Sequence, residues 1–265
     1  MATTYADMVY PALPFAALCL ATTAIAYRLP VFSALDHQKR LFCALCCGAL
    51  VNCSTVSYPG VKALYDMLMT TGYTYECGGK APNLMELQAP SGAVLACGLT
   101  CGFFLQDSLI LLLFPKETAK ELGGTSAYYI MWMHHVVSMI VWPYSFVNNT
   151  SSIFVVYFIA TEVTNVGQNL FLLAQRGNIF GPGKDLPIGI AWALSFFVVR
   201  VLPVPAVLYA WARLHLGIAG CGCTTAEWLV SLVTVPIPIA LNLFWFYKIV
   251  SKARRMLGKP KSKGK

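Results

Sequence analysis

Two adjacent histidines, His134 and His135, stand inside the apolar run Met131-Trp132-Met133-His134-His135-Val136-Val137-Ser138-Met139-Ile140-Val141-Trp142. Other polar side chains occupy equally apolar surroundings: Asp107 after Phe103-Phe104-Leu105-Gln106, Glu162, Asn165 and Asn169 after Thr161, Arg200 after Phe196-Phe197-Val198-Val199, and the lone Asn52 and Asn242. Ionisable groups are costly in hydrocarbon and are kept there where a chain handles a substrate, an ion or a proton. A single asparagine is adequately explained as a hydrogen bond between helices. An acid pair, two imidazoles and a guanidinium together call for a shared site.

Whether they share one depends on the elements that carry them. Of 265 residues, 57% are hydrophobic and 11% charged, far from the roughly 25% charged residues of soluble domains; the mean hydropathy is +0.63. The fold class is therefore an all-α membrane protein. Since roughly 20 apolar residues cross a bilayer core, seven transmembrane helices are expected, at 8–27, 41–58, 92–114, 126–146, 151–174, 188–211 and 229–250. Residues 1–10 lack the basic segment of a signal peptide, so the first stretch is expected to remain in the protein. Pro203, Pro205, Pro236 and Pro238 predict kinks in the last two helices.

Charge orients these stretches. Seven crossings place fifteen basic residues on one side (Arg28, Lys39, Arg40, Lys116, Lys120, Arg176, Lys184 and the tail from Lys248 to Lys265) and only Lys62, Lys80 and Arg213 on the other. Positive residues favour the cytosol, so the N-terminus is expected to be lumenal and the C-terminus cytosolic. The net charge of +8 then belongs to a membrane-facing tail and not to nucleic-acid binding.

Counting in from the basic-side ends at roughly 1.5 Å per residue, Asp107, Asn165, Asn242, His134 and His135 lie about 10 to 14 Å deep, and Asn52, Glu162 and Arg200 about 16 to 18 Å. Six helices thus supply one polar layer in the cytosolic half. The expected arrangement is six helices ringed around a polar cavity that opens to the cytosolic side.

Remaining features have plainer readings. Cys19, Cys43, Cys46, Cys47, Cys53, Cys97 and Cys101 read as small packing residues. Cys77, Cys221 and Cys223 fall in loops on the oxidising side, where Cys77 can pair with either of the others; no metal site is expected. The loop 29–40 reads as a solvated interface, and residues 61–69 as a short amphipathic helix at the lumenal surface.

In order along the chain, Gly102-Phe103-Phe104-Leu105-Gln106-Asp107, His134-His135, Glu162-Val163-Thr164-Asn165 with Asn169, Phe196 to Arg200, and Leu241-Asn242-Leu243-Phe244-Trp245-Phe246-Tyr247 resemble the signatures of the TLC domain family. The resemblance covers residues 35–255, leaving 1–34 as an N-terminal helix and loop and 256–265 as a basic cytosolic tail. It implies six helices around a cavity with one extra at the N-terminus, and residence in the endoplasmic reticulum.

In the ceramide synthase branch, the paired histidines support transfer of a fatty acyl group from acyl-CoA to a sphingoid amine. Carried over, His134 or His135 would be the base or the acyl-accepting imidazole, a role that suits a group titrating near neutrality. Asp107 or Glu162 would orient it, and Asn165, Asn169, Arg200, Asn242 and Asn52 would line the substrate site. The branch's His-Asp-x-Ser-Asp element is Thr161-Glu162-Val163-Thr164-Asn165 here, without its histidine.

Two functions stay open: an acyl-CoA-dependent lipid acyltransferase, with acyl-CoA as co-substrate and no resident cofactor, or a non-enzymatic lipid-binding protein that regulates membrane lipid composition. A transporter or receptor is a third reading with less support. The expected partners are membrane lipids and fatty acyl chains, and a homodimer is a candidate assembly. Lys261-Ser262-Lys263-Gly264-Lys265 resembles a dilysine signal read by a coat complex, or else a polybasic lipid anchor.

Overall fold

The computed structural model describes residues 3–71, 87–216 and 224–257, and all regular structure among them is helical. Cys77, Cys221, Cys223 and the lysines of the tail from 258 onward lie outside the described residues. Six helical stretches are long and apolar enough to cross a membrane: Ala6–Arg28, His37–Thr71, Ser91–Leu113, Thr125–Val147, Asp185–Leu214 and Thr225–Arg254. The chain is an integral membrane protein. The first four of these stretches are helices α1 (Ala6–Arg28), α2 (His37–Thr71), α3 (Ser91–Leu113) and, after a short α4 (Pro115–Leu122), α5 (Thr125–Val147).

The fifth of the seven expected helices is a divided one. Residues 151–174 form α6 (Ser152–Ala160) and α7 (Val163–Gly177), of 9 and 15 residues, interrupted at Thr161-Glu162. Neither piece is long enough to span alone, though both pack along α2. At the break the backbone tightens: the N–H groups of Glu162, Thr164 and Asn165 donate three residues back, to Ile159, Thr161 and Glu162. Irregular backbone at this depth is tolerated only where protein or an inner cavity faces it.

Helix α2 overruns its expected end at 58 and continues across Pro59 to Thr71, so no separate helix over 61–69 exists. A proline deletes one backbone hydrogen bond, here the one to the Thr55 carbonyl, and α2 runs on through it with α3, α6 and α7 packed along its length. The last two stretches are broken as their prolines predict. One comprises α8 (Asp185–Phe196), a π turn (Phe197–Val201) and α9 (Val204–His215); the other comprises α10 (Thr225–Thr234) and α11 (Pro236–Leu257). Pro203 has no N–H for the Val199 carbonyl, and the Tyr157 hydroxyl donates to that carbonyl instead, at 3.0 Å.

At the basic-side end most of the loop 29–40 is exposed, as expected, and a few residues tie it down. Phe32 is buried, and Arg40 Nε donates to the Tyr27 carbonyl at 2.6 Å. Asp36 caps α2 by accepting from the Lys39 N–H at 2.9 Å; that bond and the Lys39 side chain hold its carboxyl below the usual range. Gln38 bridges Glu121 and Lys120, Arg176 pairs with Glu121 at 3.0 Å, and Lys252 reaches Gln175 at 2.7 Å. The ends of α2, α4, α7 and α11 therefore meet at one side of the bundle. The seven cysteines of the described residues are free, five of them buried and two half-buried.

Helix α1 lies outside the others, packed on α3 and α2. Glycines allow the approach: a Cβ at Gly102 would stand 2.2 Å from the Ala12 carbonyl oxygen, and one at Gly98 2.7 Å from that of Met8. Small residues four apart are the usual route to close helix contact in lipid. Gly102→Val should therefore force α1 off α3, at a cost of roughly 1–3 kcal/mol. The measurement is thermal unfolding in detergent, with Gly92→Ala, whose added Cβ meets nothing closer than 3.8 Å, as the control. Equal stability of the two variants would refute this packing.

Candidate functional site

Arg200 projects from the π turn into the interruption between α6 and α7. Its Nε donates to Thr164 Oγ1 at 2.8 Å, one terminal nitrogen to Asn242 Oδ1 at 3.2 Å, and the other to the Thr161 carbonyl at 3.0 Å and Asn165 Oδ1 at 3.2 Å. That second nitrogen also lies 3.4 Å from Glu162 Oε1. Asn165 returns a bond to Glu162 Oε2 at 2.8 Å, and Asn169 donates to the Asn165 carbonyl at 2.8 Å. The guanidinium packs 5.4 Å from the Phe196 ring centroid. A buried charge is tolerable when it is paired and hydrogen-bonded, and here each of the three guanidinium nitrogens has a partner.

A second group stands on α3 and α5. His135 Nδ1 lies 3.4 Å from Asp107 Oδ2, close enough for an ion pair but without a hydrogen bond, so Nδ1 is buried with no hydrogen-bond partner. The His135 ring stacks on Phe104 at 4.5 Å, and His134 meets the same ring edge-on at 5.5 Å. His135 is buried whereas His134 is half-exposed, which makes His134 the imidazole more open to an occupant. Of the two acids, Asp107 accompanies the histidines and Glu162 accompanies Arg200.

Both groups face one cavity of about 610 Å³, within the roughly 300–1,000 Å³ of ligand sites. Its walls come from α2, α3, α5, α6, the break after it, α7, α8, the π turn and α11, with α4 at the basic-side end; α1 takes no part. The lining is mostly apolar, so the expected polar cavity is instead an apolar one with polar groups gathered on part of its wall. Asn52, Asn165, Asn169, Asn242, Glu162, Arg200, Asp107, His134 and His135 all line it. Asn52 is 1% exposed and its Oδ1 has no hydrogen-bond partner. Among the described residues no cluster of three or more His, Cys, Asp or Glu could hold a metal ion.

Several participants carry no sequence signal of their own. Phe104 and Thr164 sit within recognisable signatures but read as apolar filler and a neutral hydroxyl. Tyr157 looks like one more aromatic until Pro203 frees the carbonyl that it caps. Trp192, whose indole N–H is buried without a partner, lies in an apolar stretch whose nearest polar residue is Ser195, a single hydroxyl bonded to the Trp192 carbonyl.

The TLC domain model matches residues 43–251. The chain is also similar to TLC domain-containing protein 4-A of Xenopus laevis, at 29% identity over 166 residues, and to TLC domain-containing protein 4 of Xenopus tropicalis, at 28% over 166. Each alignment covers 57% of this chain and 56% of the relative, so the chain spans about half the length of the curated relatives it matches.

Removing one member of a buried ion pair costs about 3–5 kcal/mol, whereas replacing both can be neutral. Arg200→Met should therefore lower the yield and thermal stability of the detergent-solubilised protein sharply, by leaving Glu162 buried alone. Arg200→Met combined with Glu162→Gln should recover a substantial part of the loss. If the double variant is no more stable than the single one, the two groups do not act as a pair.

Proposed function

The chain belongs to the TLC domain family, and from that premise we propose that it is a protein of lipid metabolism that takes an acyl chain into its cavity and transfers the acyl group at the His134-His135 pair. The observation that carries this reading is one apolar cavity with Asp107 3.4 Å from His135 and the half-exposed His134 on its wall. An apolar chamber with a few convergent polar groups is the form of a ligand site. In the transfer, an amine or hydroxyl of the acceptor lipid attacks the thioester carbonyl of acyl-CoA. A histidine takes the acceptor's proton, the C–S bond breaks, and the CoA thiolate leaves and is protonated. If the imidazole is acylated first, an acyl–nitrogen bond forms as the C–S bond breaks and the CoA thiolate leaves, and attack by the acceptor then breaks that bond and returns the free imidazole. Asp107 orients the imidazole and stabilises its charged form.

One observation favours the non-enzymatic reading. Glu162 and Asn165 stand where the ceramide synthase branch has acids, and both are committed to Arg200, leaving Asp107 as the acid beside the histidines. The cavity would then hold a lipid without changing it. Both readings belong in the endoplasmic reticulum, with the N-terminus lumenal and the C-terminus cytosolic. The gathering of Arg40, Lys120, Arg176 and Lys252 at one end of the bundle supports that orientation. The coat-complex reading of the tail and a homodimer are part of the same proposal.

Purified protein in nanodiscs, given a long-chain acyl-CoA and an amine- or hydroxyl-bearing lipid, should release free CoA and form an acylated product. His134→Ala, His135→Ala and Asp107→Asn should each slow this by roughly 100-fold or more. Equal turnover by the variants would end the catalytic assignment. A bound acyl chain with no turnover by the unaltered protein would establish the lipid-binding reading. For orientation, a glycosylation sequon fused ahead of residue 1 should acquire a glycan in microsomes and one fused after residue 265 should not; the reverse result inverts the protein.

A further inference from the structure

We propose that the basic-side mouth of the cavity is a phosphate-binding site, built on Lys248 and Lys252 of α11, that holds the anionic head of an amphiphile whose acyl chain occupies the interior. The proposal rests on the reading of the cavity as an acyl-chain site and adds the chemistry of the ligand's other end.

Lys248 and Lys252 are four residues apart, on one face of α11, and both belong to the cavity wall. Their ammonium groups lie over aromatic rings: Trp245 and Phe171 of that wall, and the exposed Phe244 beside it. Lys248 Nζ lies 4.9 Å from the Phe244 centroid and 5.3 Å from that of Trp245, and Lys252 Nζ lies 4.9 Å from that of Phe171. Lys248 reaches across to the turn between α4 and α5, where a Cβ on Gly123 would stand 3.8 Å from its Nζ. Lys252 donates to Gln175 Oε1 at 2.7 Å, on α7. A lysine that only anchors a helix at the interface extends its head outward to water; these two bridge from α11 to other elements around the opening.

The carboxylate at this end is already engaged. Glu121 lines the cavity beside α4, and it pairs with Arg176 at 3.0 Å and accepts from Gln38 at 2.8 Å. On the outer side, Tyr247, Ser251 and Arg254 continue from the two lysines into a surface groove. Cationic groups thus flank the passage from outside to inside. Along α11 the rise from Asn242, bonded to Arg200, is roughly 9 Å to Lys248 and 15 Å to Lys252, which separates the charged mouth from the polar layer. Lysine binds phosphate as a point charge, and an apolar chamber behind a cationic mouth fits a phosphate-headed acyl amphiphile. The phosphates of coenzyme A and those of a phospholipid headgroup offer the same chemistry.

The test measures binding of palmitoyl-CoA, a short-chain-labelled phosphatidylglycerol and a neutral diacylglycerol to the full chain in neutral nanodiscs. The proteins compared are the unaltered chain, Lys248→Gln/Lys252→Gln and Lys248→Arg/Lys252→Arg. The glutamine variant should bind at least one phosphate ligand roughly tenfold or more weakly, with a shallower salt dependence, and bind diacylglycerol unchanged. The arginine variant should restore phosphate binding and report that the fold tolerates both positions. Loss confined to palmitoyl-CoA identifies coenzyme A as the source of the phosphate, loss confined to phosphatidylglycerol identifies a lipid headgroup, and either supports the site. Unchanged affinity for both phosphate ligands overturns the site while leaving the acyl cavity standing, provided diacylglycerol binds. If no acyl ligand binds any of the three proteins, the cavity reading fails and the phosphate site with it.

Discussion

A guanidinium at membrane depth is the constraint around which the rest of the helical bundle is arranged. Such a group is costly unless partners surround it, and Arg200 finds them on α7, on α11 and at the break ahead of α7. One acceptor, the Thr161 carbonyl, lies at that break, where it also accepts from the N–H and hydroxyl of Thr164. The π turn that carries Arg200 is a second departure from regular helix, and π turns of this kind recur at functional positions. Pro203 just beyond it frees the Val199 carbonyl, which Tyr157 of α6 then binds. Two irregular helices are thereby joined twice, once through a cation and once through a hydroxyl. A straight helix in either place would leave the arginine or a carbonyl unsatisfied in a medium that supplies no water.

How much of this was legible in the sequence follows from which forces act locally. Hydropathy and charge located the membrane helices because transfer into lipid depends on composition over some 20 residues. Depth along each helix placed Asp107, His134, His135, Arg200 and Asn242 in one layer, since the rise per residue is nearly constant. Register around the helix axes is set by packing between helices, and so the choice of partners stayed hidden: Asp107 with His135, Glu162 with Arg200. The break at Thr161 was hidden for a related reason. No glycine or proline marks it, and its stabilising contact comes from Arg200, nearly 40 residues further along the chain. Pro59 misled in the opposite direction, because α2, with neighbouring helices packed along it, continues through a residue that would end a helix in water.

The N-terminal helix has a different relation to the site. It contributes nothing to the cavity wall, and its buried face meets the backs of α3 and α2 through Gly98, Gly102 and Gly48. Gly102 opens the segment that ends at Asp107, and Phe104 of the same segment is the ring on which His135 stacks. The close α1 contact therefore fixes the outer side of the helix whose inner side positions the acid and the aromatic platform. Packing in lipid lacks a hydrophobic drive between helices and depends on such close backbone approach.

The polar layer divides into a closed part and an open part, and that division bears on what the cavity can do. Around Arg200 nearly every donor and acceptor is matched, so a ligand would have to displace existing bonds to engage it. Elsewhere on the wall the matching is incomplete: His135 Nδ1, on the ring stacked against Phe104, and Asn52 Oδ1 of α2 are buried without hydrogen-bond partners, and His134 remains half-buried. Unsatisfied buried polar atoms cost about 1–3 kcal/mol each, and they persist where a function repays that cost. The substitution of Glu162 and Asn165 into an element that carries acids in ceramide synthases places those side chains in the closed part. The open part retains the histidines and Asp107 on α3 and α5, while the arginine cluster ties the π turn, the α6–α7 break, α7 and α11 together elsewhere around the same cavity.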